Sequence, residues 1–147
     1  MLMRARESKL LQASQLADLG VLLQRHVLAP ARGGQSQASA EILMGLLRSS
    51  ALTVTALARV SDLSQPACTR ALDRLEADGK IKRLAKGRTT LVRLTAKGTR
   101  QATSIQRKRL SMAVDFIDLL SPAERKCFGS VLDKWLACEA NQSPDLN

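Results

Sequence analysis

Aromatic residues are scarce in this chain: its 147 residues include one Trp, two Phe and no Tyr. Sheets that bind single-stranded nucleic acid stack the bases on exposed aromatic side chains, so this composition disfavours that class of protein. Histidine is scarcer still, since His26 is the only one. A single histidine disfavours both a His-based metal site and a Ser–His catalytic pair.

The three cysteines, Cys68, Cys127 and Cys138, are odd in number and lack the spacing of zinc ligands. Reduced thiols are the expected state of such a set. The sequence also contains no nucleophile–base pair and no phosphate-binding loop. We therefore expect a protein that is not an enzyme and that holds no metal and no cofactor.

Long apolar runs are missing as well. No stretch approaches the roughly 20 apolar residues of a membrane-spanning helix. Residues 1–7 lack the apolar segment of a signal peptide. The sequence therefore predicts a cytoplasmic protein without a membrane partner, and its 45% hydrophobic content suffices for one packed core.

Positive charge is abundant and unevenly placed. Residues 64–110 contain 13 Lys and Arg but three Asp and Glu, and so carry +10, which is the formal net charge of the whole chain. The remaining residues are balanced. A positive field confined to one third of the chain indicates a polyanionic partner rather than general solubility.

Hydrophobic periodicity and helix-start signals predict a mainly α-helical fold with a small β-hairpin. We expect Thr53, Ser64, Thr95 and Ser121 to cap helices. The predicted helices cover about residues 8–28, 38–48, 54–60, 64–78, 96–120 and a last helix from residue 122, and the predicted strands cover 81–84 and 90–94. A loop is expected from Pro30 to Ser36, and residues 85–89 are expected to link the strands.

The helix predicted over residues 64–78 has two different faces. Apolar residues at helical spacing form its buried stripe: Cys68, Ala71, Leu72 and Leu75. The opposite face carries the polar and small side chains that suit a major groove: Gln65, Pro66, Thr69, Arg70 and Arg74. We expect Gln65, Thr69 and Arg70 to read bases and Arg74 to hold a phosphate. A generic solvated surface helix is the alternative reading of this face.

The predicted hairpin is basic at its turn and along its strands. Its cations are Lys82, Arg83, Lys86, Arg88 and Arg93. A basic hairpin beside a reading helix can reach the DNA backbone or the minor groove, and we expect Lys82, Arg83, Lys86 and Arg88 to do so. A solvated edge made basic to prevent aggregation is the alternative. Together the two elements predict a winged helix-turn-helix that binds double-stranded DNA.

The sequence at this point resembles the MarR family of transcriptional regulators. Three strings carry the resemblance: LTVTALARVSDLSQPACTRALDRLEADGKIKR (residues 52–83), GRTTLVRLTAKG (87–98) and LSPAE (120–124). The resemblance implies a winged helix-turn-helix dimer whose terminal helices interlock into a dimerisation domain. It also implies a repressor that releases DNA in response to a signal, so a small-molecule effector of unknown identity is an implied partner.

Residue by residue, the resemblance assigns Gln65, Pro66, Thr69, Arg70 and Arg74 to the recognition helix and Arg88 to the arginine of the wing. Two positions depart from the family pattern. Lys86 stands where the family has an Asp that pairs with the wing arginine. The stretch Ser39–Glu41 stands where an aromatic residue often lines the ligand cleft, which disfavours binding of aromatic acids.

The apolar stripes of the first and last helices predict a homodimer independently, because a monomer of this layout would expose them. The alternative is that the two helices pack on each other within one chain. The predicted divisions are a helical dimerisation region (1–34 and 110–141), a winged helix-turn-helix domain (35–98), a long connecting helix (96–120) and a flexible tail (142–147).

Cys68 permits two readings. It is either a small apolar core residue or a redox switch, whose oxidation would displace the helix that aims Thr69 and Arg70. Arg70 and Arg74 nearby would lower the pKa of the thiol in the second case.

The leading function is therefore sequence-specific transcriptional regulation at a pseudo-palindromic operator by a dimer, with repression and a ligand or redox response as expected features. Two alternatives remain open. One is an architectural protein that binds DNA irrespective of sequence. The other is a winged-helix module whose basic face binds a protein partner.

Overall fold

The structure, a computed structural model, describes the backbone of residues 2–142 and the side chains of residues 8–138. Its helices are α1 (Leu2–Leu23), a π-helical turn (Gln24–Leu28), α2 (Ala29–Ala31), α3 (Gln37–Arg48), α4 (Val54–Val60), α5 (Gln65–Ala77), α6 (Ala96–Ile117) and α7 (Pro122–Gln142). Its strands are β1 (Leu52–Thr53), β2 (Ile81–Lys86) and β3 (Thr89–Leu94). The predicted tail, residues 142–147, lies outside the described residues except for Gln142, which ends α7.

One apolar core holds the central part of the chain together. Its largest fully buried side chains come from α3, α4, α5, the sheet and α6: Ile42, Leu43, Leu57, Cys68, Leu72, Leu75, Ile81, Val92 and Ile105. The predicted stripe of α5 faces this core, with Cys68 and Leu72 0% exposed. The core therefore fixes which face of α5 remains available to a partner.

The four predicted helix caps are confirmed. Thr53 accepts a hydrogen bond from Ala56 N (3.1 Å), and Ser64 and Thr95 accept theirs from Ala67 N and Gly98 N. Ser121 forms a reciprocal capping box, in which its own backbone N–H donates to the Glu124 carboxylate at 2.8 Å. Each cap satisfies backbone donors at the first turn of its helix, so the helix starts follow from local sequence.

The first helical segment continues past Pro30, where a loop was predicted, and ends at Ala31. The π-helical turn explains the error. Ala29 N–H donates to the carbonyl of Gln24, five residues back, and Pro30 enters the short α2 at its start, where a missing N–H costs little. The actual loop is residues 32–36.

The wing is longer and its turn tighter than predicted. Lys86 pairs with Thr89, so the strands span Ile81–Lys86 and Thr89–Leu94 and are joined by Gly87 and Arg88 alone. Gly87 has φ +60°, the value that a two-residue hairpin turn with glycine in its first position requires. β1 adds a third strand, and the antiparallel sheet has the order β1-β3-β2.

The terminal helices leave large apolar side chains in solvent. Those exposed on α1 are Leu10, Leu11, Leu16, Val21 and Leu22, and those on α7 are Val131, Leu132, Trp135 and Leu136. Within the described residues α1 and α7 do not form a packed pair. No helix in this part of the chain is apolar over a length that would cross a membrane.

Candidate nucleic-acid interface

The exposed face of α5 carries the polar residues expected of a reading helix. Gln65, Pro66, Thr69, Arg70 and Arg74 are all exposed. Burial of the opposite stripe orients them, so they project together from one side of the helix-turn-helix formed by α4 and α5. An exposed α-helix with Gln, Thr and Arg on its free face has the dimensions and donors that the major groove admits.

Thr69 has a restricted hydrogen-bonding role within this face. Its hydroxyl donates to the Gln65 carbonyl oxygen at 3.0 Å, one turn earlier in α5. The methyl group of Thr69 and the lone pairs of its hydroxyl oxygen are not used in that bond. Thr69 can therefore accept from a base amino group or contact a thymine methyl group, whereas its proton is already used.

The wing has a buried face and an exposed cationic face. Ile81 and Val92 pack into the core, and the alternate positions Lys82 and Arg93 are exposed. Lys82 and Arg93 are direct cross-strand partners in the β2–β3 register. Two like charges directly opposite each other destabilise a hairpin, so the free protein pays an electrostatic cost at this position that a bound anion would relieve.

The tip of the wing adds Lys86 and Arg88. Both side chains are exposed, and Arg88 lies in the turn itself. Thr89 Oγ1 donates to the Lys86 carbonyl oxygen at 2.9 Å and closes the turn. The tip thus presents two cations on a short, hydrogen-bonded turn, without an Asp at position 86.

Arg83 differs from the other wing cations because two carboxylates of α5 hold it. Its guanidinium donates to Asp73 Oδ1 and to Glu76 Oε2, each at 2.7 Å, and its backbone N–H donates to Glu76 Oε1 at 3.3 Å. The hydrogen bond with Asp73 and the charge of Glu76 raise the pKa of Arg83. This cluster, named the wing clamp below, joins β2 to the reading helix.

A second junction fixes the C-terminal end of α5. Lys80 is 8% exposed, and its ammonium donates to Asp78 Oδ2 at 2.8 Å and to Gln35 Oε1 at 3.2 Å. The Lys80 hydrogen bond is the main reason why the pKa of Asp78 is lowered. Lys97 of α6 donates to the Asp78 carbonyl oxygen at 2.8 Å. The reading helix is therefore tied to the loop before α3 and to α6.

Cys68 is buried on the core side of α5. Its thiol lies 3.8 Å from the Val54 carbonyl oxygen, and burial raises its pKa, opposed in part by the positive charge of Arg83. The expectation that Arg70 and Arg74 would lower this pKa is therefore wrong. Their side chains leave from the exposed face, whereas the thiol faces the core. Cys127 and Cys138 are exposed on α7.

Sequence reasoning missed three features of this surface. Arg93 was recognised as a wing cation but not as a site residue, although its cross-strand pairing with Lys82 needs only the strand register. The wing clamp and the burial of Lys80 depend on tertiary contacts. No signal in the sequence distinguished Arg83 and Lys80 from the solvated cations around them.

A helix-turn-helix followed by a basic hairpin, on a mostly helical frame, defines the class: this is a winged helix-turn-helix protein of the DNA-binding type. The model of the MarR family matches residues 36–87, from the cap of α3 to the turn of the wing. None of the curated proteins matches the sequence.

Solved structures extend the similarity along most of the chain. A MarR-family transcriptional regulator from Silicibacter pomeroyi DSS-3 is 26% identical, with a TM-score of 0.65 over 87% of this chain and 91% of that one. A second from Silicibacter pomeroyi is 25% identical, with a TM-score of 0.63 over 88% of each chain. MepR, a transcription regulator of the Staphylococcus aureus multidrug efflux pump MepA, shares the fold at 18% identity, with a TM-score of 0.71 over 86% of this chain and 96% of that one.

The chain accordingly resembles the MarR family, in sequence over residues 36–87 and in fold over most of its length. It is a DNA-binding transcription regulator and not an enzyme.

Proposed function

We propose that this regulator recognises a pseudo-palindromic operator in double-stranded DNA and acts as a repressor by occupying it. Gln65, Thr69 and Arg70 would read base edges in the major groove, with Pro66 packed against the backbone at the helix start. The observation that carries the proposal is the exposed polar face of α5, together with the cationic wing that Arg83 joins to this helix.

The phosphate contacts are proposed for cations with free donors. Arg74 on α5 and Lys82, Lys86 and Arg88 on the wing are exposed, and none of them pairs with a carboxylate among the described residues. Arg83 is assigned a positioning role instead of the phosphate contact expected from sequence, because both of its terminal guanidinium nitrogens already donate to carboxylates, one to Asp73 and one to Glu76. It would hold the wing at a fixed angle to the reading helix.

We further propose that the functional unit is a homodimer built from residues 1–34 and 110–141, joined by residues 96–120 to the winged domain 35–98. Support comes from the exposed apolar side chains of α1 and α7, with Trp135 55% and Leu136 67% exposed. The absence of a packed α1–α7 pair in the described residues disfavours the single-chain alternative. A two-fold dimer would set two reading helices about one DNA turn apart.

We also propose that a small-molecule effector regulates the protein and that this effector is not an aromatic acid. The stretch Ser39–Glu41 stands where the family often has an aromatic residue, and Glu41 accepts a hydrogen bond from Arg109 of α6 at 2.8 Å. This ion pair links α3 to α6, and 28% of the Glu41 side chain and 16% of the Arg109 side chain are exposed. A cytoplasmic location, where operator DNA is accessible, completes the proposal.

The test is fluorescence anisotropy with the DNA upstream of this protein's own gene, compared with a scrambled duplex over a salt series. We expect at least about 10³-fold tighter binding to the native duplex and a steep salt dependence. Equal affinity for both duplexes would favour an architectural protein, and no binding at low salt would favour a protein partner.

The role of Arg70 is tested in the same assay. Arg70→Ala should weaken the free energy of binding to the native duplex by about 1–3 kcal/mol and relax discrimination at one base step, because a bidentate base contact is lost. Lys134→Ala on α7 removes the same charge away from α5 and should change neither affinity nor discrimination. An Arg70→Ala protein with full discrimination would refute the assignment.

A further inference from the structure

Three cations of α6 remain without a role in the proposed DNA interface. They are Arg100, Arg107 and Lys108. Their neighbours Lys97 and Arg109 are engaged, the first by the Asp78 carbonyl oxygen and the second by Glu41. Within the described part of the chain, no carboxylate pairs with any of the three.

These three cations share one surface groove with three hydroxyl side chains. The groove has a volume of about 450 Å³. Its lining residues are Thr99, Arg100, Thr103, Ser104, Arg107 and Lys108. They occupy the side of α6 opposite to Ala102 and Ile105, which are buried in the core. Burial of that side therefore presents the cations and hydroxyls together, outward.

The sequence spacing arranges the groove as two similar halves. Arg100 and Ser104 are four residues apart, as are Thr103 and Arg107, and side chains at this spacing are neighbours on a helix surface. Each arginine thus has a hydroxyl donor beside it. Arg100 and Arg107 are seven residues apart, which is roughly 10 Å along the helix axis at about 1.5 Å per residue.

The chemistry of the lining is that of an oxyanion site. Guanidinium groups bind carboxylates and phosphates through paired N–H donors, and hydroxyls add single donors between them. No acidic side chain lines the groove to oppose an anion. Near Lys108 the loop before α3 forms an edge, since a Cβ atom at Gly33 would be 3.7 Å from Lys108 Nζ.

We propose that this α6 groove binds a compact organic polyanion, one that carries at least two carboxylate or phosphate groups spaced to reach both Arg100 and Arg107. A small molecule is favoured over duplex DNA because the groove is a shallow one between side chains of α6 alone, and this helix is neither the reading helix nor part of the wing. The inference goes beyond DNA binding and does not depend on it.

The test is calorimetric titration of the full-length protein with inorganic tripolyphosphate at physiological salt, with orthophosphate as the single-anion comparison. Arg100→Gln combined with Arg107→Gln should weaken tripolyphosphate binding by more than about tenfold, since two charge-assisted hydrogen-bonding groups are lost. Because both residues are exposed, the double variant should keep its melting temperature. Orthophosphate should bind at least about tenfold more weakly than tripolyphosphate, because it reaches one half of the groove.

Two matched variants separate the groove from general charge effects. Lys126→Gln with Lys134→Gln on α7 removes the same charge and should leave tripolyphosphate binding unchanged. Lys86→Gln with Arg88→Gln at the wing tip should also leave it unchanged. Equal losses in the groove variant and the α7 variant, or loss only in the wing variant, would overturn the proposal. So would a groove variant that binds tripolyphosphate normally but binds duplex DNA about tenfold more weakly.

Discussion

The backbone of Gly98 at the start of α6 lies directly against the carbonyl group of Lys80, the residue just before β2. The Lys80 carbonyl oxygen accepts a hydrogen bond from Thr95 N at 3.0 Å, which places the first turn of α6 at this point. A Cβ atom at position 98 would collide with that carbonyl oxygen and lie 3.2 Å from Leu94 Cδ2. The close approach of the two backbones thus depends on glycine.

Replacement of Gly98 by Ala should lower the free energy of unfolding by about 2 kcal/mol or more, because the obstacle is backbone and cannot rotate away. Urea denaturation would measure the change. Gly20→Ala is the matched control, since nothing lies within 4 Å of the added Cβ. The free energy of unfolding of the Gly20→Ala control should rise by about 0.5–1 kcal/mol, because Ala favours a helix more than Gly does. Equal effects at the two positions would contradict the close packing of Gly98.

The wing clamp predicts a change in DNA affinity opposite in sign to the change expected from net charge alone. Asp73→Asn with Glu76→Gln removes two negative charges beside the proposed DNA surface, which alone would strengthen binding to phosphates. We expect duplex affinity to fall by about tenfold instead, because Arg83 no longer fixes the wing and a well-placed contact is lost. The measurement is anisotropy with the operator duplex at fixed salt.

Asp62→Asn is the electrostatic control for this experiment. Asp62 is exposed in the turn between α4 and α5 and has φ +50°, a conformation that Asn tolerates well. It should raise affinity slightly or leave it unchanged. If Asp73→Asn with Glu76→Gln binds the operator duplex more tightly than the wild-type protein does, Arg83 has no positioning role.

Cys68 should behave as a core residue and not as a sensor. Burial and a raised pKa keep the Cys68 thiol inaccessible and mostly protonated, and the reactive form is the thiolate. Maleimide should therefore label Cys68 only after unfolding. Mass spectrometry of native and denatured protein would measure this. Cys68→Ala should keep sequence-specific DNA binding at some cost in stability. Rapid labelling of Cys68 in the folded protein, with loss of DNA binding, would restore the redox reading.

The proposed dimer is tested on α7. Leu136→Asp places a charge on the exposed apolar stripe, and we expect light scattering to give the mass of one chain, because burial of an unpaired charge opposes association. Affinity for a two-half-site duplex should fall by more than about 100-fold as bivalency is lost. Lys134→Asp, an exposed position off the stripe, should remain dimeric. A wild-type protein that is itself monomeric at micromolar concentration would end the hypothesis.

Local rules predicted most of the elements and the orientation of the reading helix. The capping side chains of Thr53, Ser64, Thr95 and Ser121 act within three residues of themselves, and the stripe of α5 follows from helical spacing alone. Such features need no knowledge of distant contacts, so the sequence was sufficient for them.

Features that depend on distant contacts could not be predicted in the same way. Arg109 meets Glu41 across 68 positions of the chain, and Lys80 meets Gln35 across 45. The continuation of the first helical segment through Pro30 required a π-helical turn that composition does not announce. The burial of Lys80 and the engagement of Arg83 therefore emerge only once the core has set the positions of α3, α5 and the wing.

The pairing of Lys82 with Arg93 across the wing gives ionic strength two opposing effects on one hairpin. Added salt screens the repulsion between the two side chains and so stabilises the hairpin in the free protein. The same salt weakens any complex in which those charges hold phosphates. At high salt the free hairpin is therefore most stable, but its affinity for DNA is lowest. At low salt the affinity for DNA is highest, but the free hairpin is least stable.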